Sequence, residues 1–124
     1  MQVPEAATIM MKGGCFIQTH KMTFEQQVSF QIQIMRMQMY LEDVFTSIGR
    51  NSEQNCVIVA DRGVMDGSAY TTERLWHAVL DETGWTQVQL RDKRYDAIIH
   101  LVTAAKGAES FYSLENEARY ESPE

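Results

Sequence analysis

Apolar and polar positions follow different periods along the chain, and those periods assign the elements. From Cys56 to Ala60 the run CVIVA is continuous and β-branched, the pattern of a parallel strand covered on both faces. A second run, Ala97 to Val102 (AIIHLV), reads the same way. The long segment after Thr23 is different. Phe30, Ile32 and Ile34 alternate with Gln31 and Gln33 as a half-buried strand would. On a 3.6-residue period, however, its apolar residues resolve into two stripes. Val28, Ile32, Met35 and Met39 form one, and Phe30, Ile34, Met37, Leu41 and Ile48 lie nearly opposite. The two stripes predict a helix that needs cover on both sides, either wedged between a sheet and a second layer or facing a partner subunit. The methionines on it read as adaptable core filler.

Local signals place the ends. Thr23-Phe24-Glu25-Gln26 has capping-box spacing, with Thr23 accepting from the third residue's N–H and the glutamine reaching back, and Gly49 supplies an end. Met1 to Val3 read as the tail of a strand. Pro4 follows at a first-turn position, where a missing N–H costs nothing, so Glu5 to Lys12 form a short helix closed by Gly13-Gly14. Thr72 caps a further helix that runs to Asp81, with Gly84 just beyond. Buried strands separated by helical sequence imply βαβ connections and a parallel α/β sheet.

Composition narrows the class. An apolar fraction of 44% with 23% charged residues is that of an ordinary globular chain, and 124 residues make about one domain. The excess of 17 acidic over 11 basic residues gives a net charge of -6, which repels phosphate backbones and argues against nucleic acid as a partner. Cys15 and Cys56 lack metal-type or C-x-x-C spacing, so reduced thiols in a cytoplasmic protein are expected. No stretch has the roughly 20 apolar residues of a membrane span, and no secretory signal opens the chain.

Chemistry concentrates at Val57 to Gly63 (VIVADRG), where an acid ends a buried strand and an arginine and a turn glycine follow. That edge of an open α/β sheet is where ligands bind. Asp61 reads either as a Mg²⁺-side acid or as a turn-capping aspartate. Arg62 offers a bidentate fork for phosphate, or is a solvated arginine, and Asp66-Gly67-Ser68 opens the next segment near the same edge. His100, within an apolar run, reads as a core histidine.

The segments VPEAAT (Val3 to Thr8), VIVADRGVMDGSAY (Val57 to Tyr70), LRDKRYDAIIHLVTAAKGAESFY (Leu90 to Tyr112) and ENEARYESP (Glu115 to Pro123) resemble, in order and spacing, the NadR-like P-loop kinase domain, and among its members the animal TRPL-translocation-defect proteins. The resemblance implies a three-layer P-loop NTPase or kinase-like parallel sheet that binds GTP or ATP with Mg²⁺. The bacterial members act as small-molecule kinases on a nicotinamide riboside. The animal members bind GTP and phosphoinositide lipid and serve trafficking, which implies trafficking partner proteins and a place in the cytoplasm or at the membrane periphery. By position, Asp61 matches the metal-side acid and Arg62 the phosphate-contacting arginine beside it. Glu5 matches the acid at the end of the strand before the acceptor-side helix, and with Arg62 it forms the implied substrate-binding pair. Arg119 falls where a lid arginine reaches the transferred phosphate. Glu5 also reads as an acid favoured by the helix macrodipole, and Arg119 as part of a solvated acidic stretch.

One departure stands out. Such a domain opens with a strand, a G-x-x-x-x-G-K-[ST] loop and a helix that cradle the phosphates, and residues 1–124 contain none of these. Gly13-Gly14 is followed by Cys and Phe, and Lys106-Gly107 is in the wrong order. The expectation is therefore a partial domain, truncated at both ends and inactive in phosphoryl transfer by itself. Its open sheet edge is expected to be prone to association.

Overall fold

The computed structural model describes residues 1–15 and 18–101. Strand β1 (Gln2–Val3) lies parallel to β2 (Val59–Ala60), with Gln2 opposite Val59 and Val3 opposite Ala60. The ladder closes through Val59 N–H to Met1 C=O and Asp61 N–H to Val3 C=O, each 2.9 Å. Helices α1 (Ala6–Lys12), α2 (Phe24–Arg50) and α3 (Glu73–Thr83) make up most of the rest. A 3-10 segment, Val64–Ala69, links β2 to α3, and a π-type turn follows at Val88–Asp92.

The helix ends obey their local chemistry. Thr23 Oγ1 accepts from Gln26 N–H and Gln26 Oε1 accepts from Thr23 N–H, so the capping box forms at both arms. Thr72 Oγ1 accepts from Leu75 N–H, and Gly84 ends α3 in the left-handed region at φ 68, which a residue without Cβ enters freely.

Helix α2 is the axis of the molecule and packs against α1, α3, β1 and the 3-10 segment. Its inner stripe of Val28, Ile32 and Met35 joins Val64, Leu75, Trp76, Val79 and Leu90 in one core cluster, with Met39 partly buried against it. Each such side chain adds about 1.5–3 kcal/mol by leaving water. The opposite stripe is only half covered, and Ile48 at its end is 55% exposed. Gly67 is where the 3-10 segment approaches α2: a Cβ there would stand 2.1 Å from Gln31 Nε2.

The sheet corrects the sequence expectation. Among the described residues it has two strands, not a three-layer array, and helix dominates. Only Val59 and Ala60 of the run CVIVA are paired, and Val57 is 75% exposed. Ala97 to Leu101 form no strand, and Ile98, Ile99 and Leu101 are exposed. His100, read as a core histidine, is exposed as well. The physical reason is that a strand exists through its neighbours. β-branched sequence favours extended backbone, but without adjacent N–H and C=O groups no ladder forms and no second layer covers the side chains. Val102 at the end of that run, Lys106, Gly107 and Arg119 lie outside the described residues.

Candidate functional site

Because β1 and β2 are parallel, the residues that leave their C-terminal ends emerge at one edge, Glu5 from the first and Asp61-Arg62 from the second. Glu5 is the N-cap residue of α1, with extended backbone and no side-chain capping bond. Its carboxylate is therefore available elsewhere: it accepts from Thr8 Oγ1 and lies 3.6 Å from Arg62 Nε. The Arg62 guanidinium also approaches Asp66 at 4.0 Å and sits 5.1 Å from the centre of the Tyr70 ring. Burial works against its charge, but Tyr70, Glu5 and Asp66 outweigh that, and the guanidinium is held above its usual range. Arg62 is a fixed cation under all physiological conditions.

The backbone of Arg62 is strained. Its φ of 71 is the single positive value outside glycine among the described residues. For a side chain with a Cβ this costs about 1–2 kcal/mol. The ion pair with Glu5, whose partners are 47% and 35% exposed, returns about 0–1 kcal/mol. The pair alone cannot hold the conformation, so other contacts must fix it. They come from α2. Gln38 Nε2 donates to Arg62 C=O at 3.1 Å, and Gln38 Oε1 accepts from Ala6 N–H at 3.2 Å. Gln38 also donates to Glu42 Oε1 at 3.1 Å.

Glu42 is only 6% exposed and is fully engaged. Its Oε1 also accepts from Tyr95 Oη–H at 2.8 Å, and its other oxygen pairs with Arg94 Nε. Arg94 continues to Met39 C=O and Asp43, and Tyr95 Oη accepts from Val64 N–H at 2.8 Å, two residues beyond Arg62. Burial first of all pushes the Tyr95 hydroxyl up; the Val64 N–H opposes this and Glu42 reinforces it, so Tyr95 remains a proton donor. The result is a buried polar tract from the start of α1 to the exit of β2.

Asp61 is exposed, and its carboxylate has no ion-pair or hydrogen-bond partner among the described residues. No group of three or more metal-ligating side chains occurs among the described residues. A single free carboxylate fits Mg²⁺ held by one protein ligand together with phosphate oxygens and water, the usual mode for that ion, and does not fit an all-protein cage. Phe24, Glu73, Arg74, His77, Ala78 and Asp81 line an open groove of about 480 Å³ that includes neither Glu5 nor Arg62. At the strand edge, by contrast, charge and backbone strain coincide at Arg62.

A protein-family model described as an AAA domain matches residues 1–124, the whole chain. The chain belongs to this AAA-domain family. No curated protein and no solved structure matches it. Membership places the chain with P-loop NTPase-like domains, an α/β class compatible with nucleotide binding, and domains of this type bind nucleotide with Mg²⁺. Among the described residues no helix is long and apolar enough to cross a membrane.

Of the residues singled out from sequence, Glu5 and Arg62 are in contact, Asp61 adjoins them along the chain, and Arg119 lies outside the described residues. Gln38, Glu42, Arg94 and Tyr95 were missed. A signal existed for two of them: Gln38 and Glu42 continue the i, i+3, i+4 spacing of Val28, Ile32 and Met35 onto polar side chains at core positions.

Proposed function

We propose that this chain is the metal-side and acceptor-side part of a Mg²⁺-dependent GTP- or ATP-binding domain. The observation that carries the reading is the Glu5–Arg62 contact, at 3.6 Å, where two parallel strands end. Ligands of α/β sheets bind at that edge, and an anion such as phosphate would meet the guanidinium fork there. Asp61 would supply the protein's ligand to Mg²⁺, which when bound neutralises charge on the phosphates. Calorimetric titration with Mg-GTP and Mg-ATP, on the 124-residue chain alone and joined to a phosphate-loop segment, tests the reading. We expect Mg²⁺-dependent binding that weakens in Asp61→Ala. Absence of binding by the joined polypeptide, or binding indifferent to Asp61→Ala, refutes it.

The Glu5–Arg62 contact also favours a second reading, a small-molecule kinase of the NadR type. Glu5 would take the proton of an acceptor hydroxyl while Arg62 steadies the phosphoryl group. Phosphoryl transfer that survives alanine at both positions excludes it. A GTP- and phosphoinositide-binding role in trafficking is supported by the sequence resemblance, and a lipid-vesicle binding assay separates it from the kinase reading.

A further inference from the structure

The Gln38 carboxamide lies between the two backbone segments that carry Glu5 and Arg62. Its position on α2 is 4% exposed, so each of its polar atoms needs a partner from the protein. The partners dictate both the residue type and its orientation. Ala6 N–H can only donate, so the oxygen must face α1; Arg62 C=O and the Glu42 carboxylate can only accept, so the nitrogen must face them. Glutamine meets all three with one planar group. Glutamate at this position would set an acceptor against two acceptors, and methionine would serve none.

We infer that Gln38 is the positioning residue that holds Arg62 in its left-handed conformation and sets it against Glu5, an inference that rests on the reading of that pair as the ligand-facing one. Four features fix the geometry. The Asp61 N–H is bonded to Val3 C=O just before Arg62, and the Val64 N–H to Tyr95 Oη just after it, so the loop is pinned on both sides. The Gln38 bond to Arg62 C=O acts on the strained residue itself. The bond to Ala6 N–H anchors the same carboxamide to the first residue of the helix that Glu5 caps. Glu42, restrained by Arg94 and Tyr95, keeps the carboxamide from rotating away. Gln38 thus sets the separation of the two side chains through its bonds to the backbone that carries them.

The test uses the full chain and its Gln38→Met and Gln38→Glu variants. The readout is the Arg62 Nε–H resonance in nitrogen-15 spectra, assigned by its loss in Arg62→Lys, with circular dichroism as the control for folding. In both variants we expect the resonance to move to the position of exposed arginines while the helical signal is retained. Affinity for inorganic phosphate, used as probe, falls on the order of tenfold. A folded variant with an unmoved Arg62 resonance overturns the inference. Should neither variant fold, the wild-type chain still decides: Gln38 carboxamide protons that exchange with water as fast as those of a free amide overturn it, and slow exchange upholds it. If the wild type binds neither phosphate nor nucleotide, the functional reading fails while the Arg62 resonance still judges the positioning role.

Discussion

Tyr95 donates its hydroxyl proton to Glu42 across 2.8 Å and accepts the Val64 N–H at the same distance, so one phenol joins the centre of α2 to the loop that follows Arg62. Replacement by phenylalanine leaves a buried acceptor and a backbone donor short of a partner. The expected cost is about 1–3 kcal/mol in urea unfolding. A change below a few tenths of a kcal/mol would mean that water satisfies both groups.

The same hydroxyl gives a pH dependence. The folded state holds Tyr95 above the ordinary value of 10.0, so its contribution to stability is whole below about pH 10 and is lost as the pH rises further, because the unfolded chain then ionises first. The stability advantage of the wild type over Tyr95→Phe should therefore shrink between pH 9 and pH 11. An advantage that grows over this interval contradicts the burial of the phenol.

Glu42→Ala removes the acceptor for Gln38, Arg94 and Tyr95 together. Removing one partner of a buried pair costs about 3–5 kcal/mol, a large share of the roughly 5–15 kcal/mol that holds a domain folded. Partial unfolding at room temperature, followed by circular dichroism, is expected.

At Arg62 the backbone itself can be interrogated. Glycine and alanine both delete the guanidinium, but only alanine keeps the Cβ that makes φ 71 unfavourable. Arg62→Gly should be more stable than Arg62→Ala by about 1–2 kcal/mol, and equal midpoints in denaturant would show that the left-handed conformation at this position carries no strain.

A fourth site checks the sequence logic at the start of α2. Thr23→Ala deletes one arm of the capping box and should cost about 1 kcal/mol, read as a fall in thermal midpoint with the helix content of the folded state unchanged.

Short-range rules sufficed for the helices. The capping box of α2, the Thr72 cap of α3 and the glycines near the helix ends act over three or four residues, so α1, α2 and α3 begin and end close to where those signals stand. The acid and arginine at the end of CVIVA and the acid after Pro4 were legible as candidate chemistry for the same reason: a strand's exit is a local feature. The contact between Glu5 and Arg62 was not legible, because it depends on two strands pairing in parallel across 55 intervening residues. Nor was the positive φ of Arg62, which is unfavourable locally and exists only through contacts such as Gln38 supplies from α2. The apolar runs show the converse. Their sequence prescribes strands, yet pairing reaches only Val59 and Ala60, since a ladder is a property of two chain segments and no single segment can encode its neighbour. Periodicity and caps thus determined the helices, and tertiary structure alone decided the sheet, the strained arginine and the buried carboxamide that holds it.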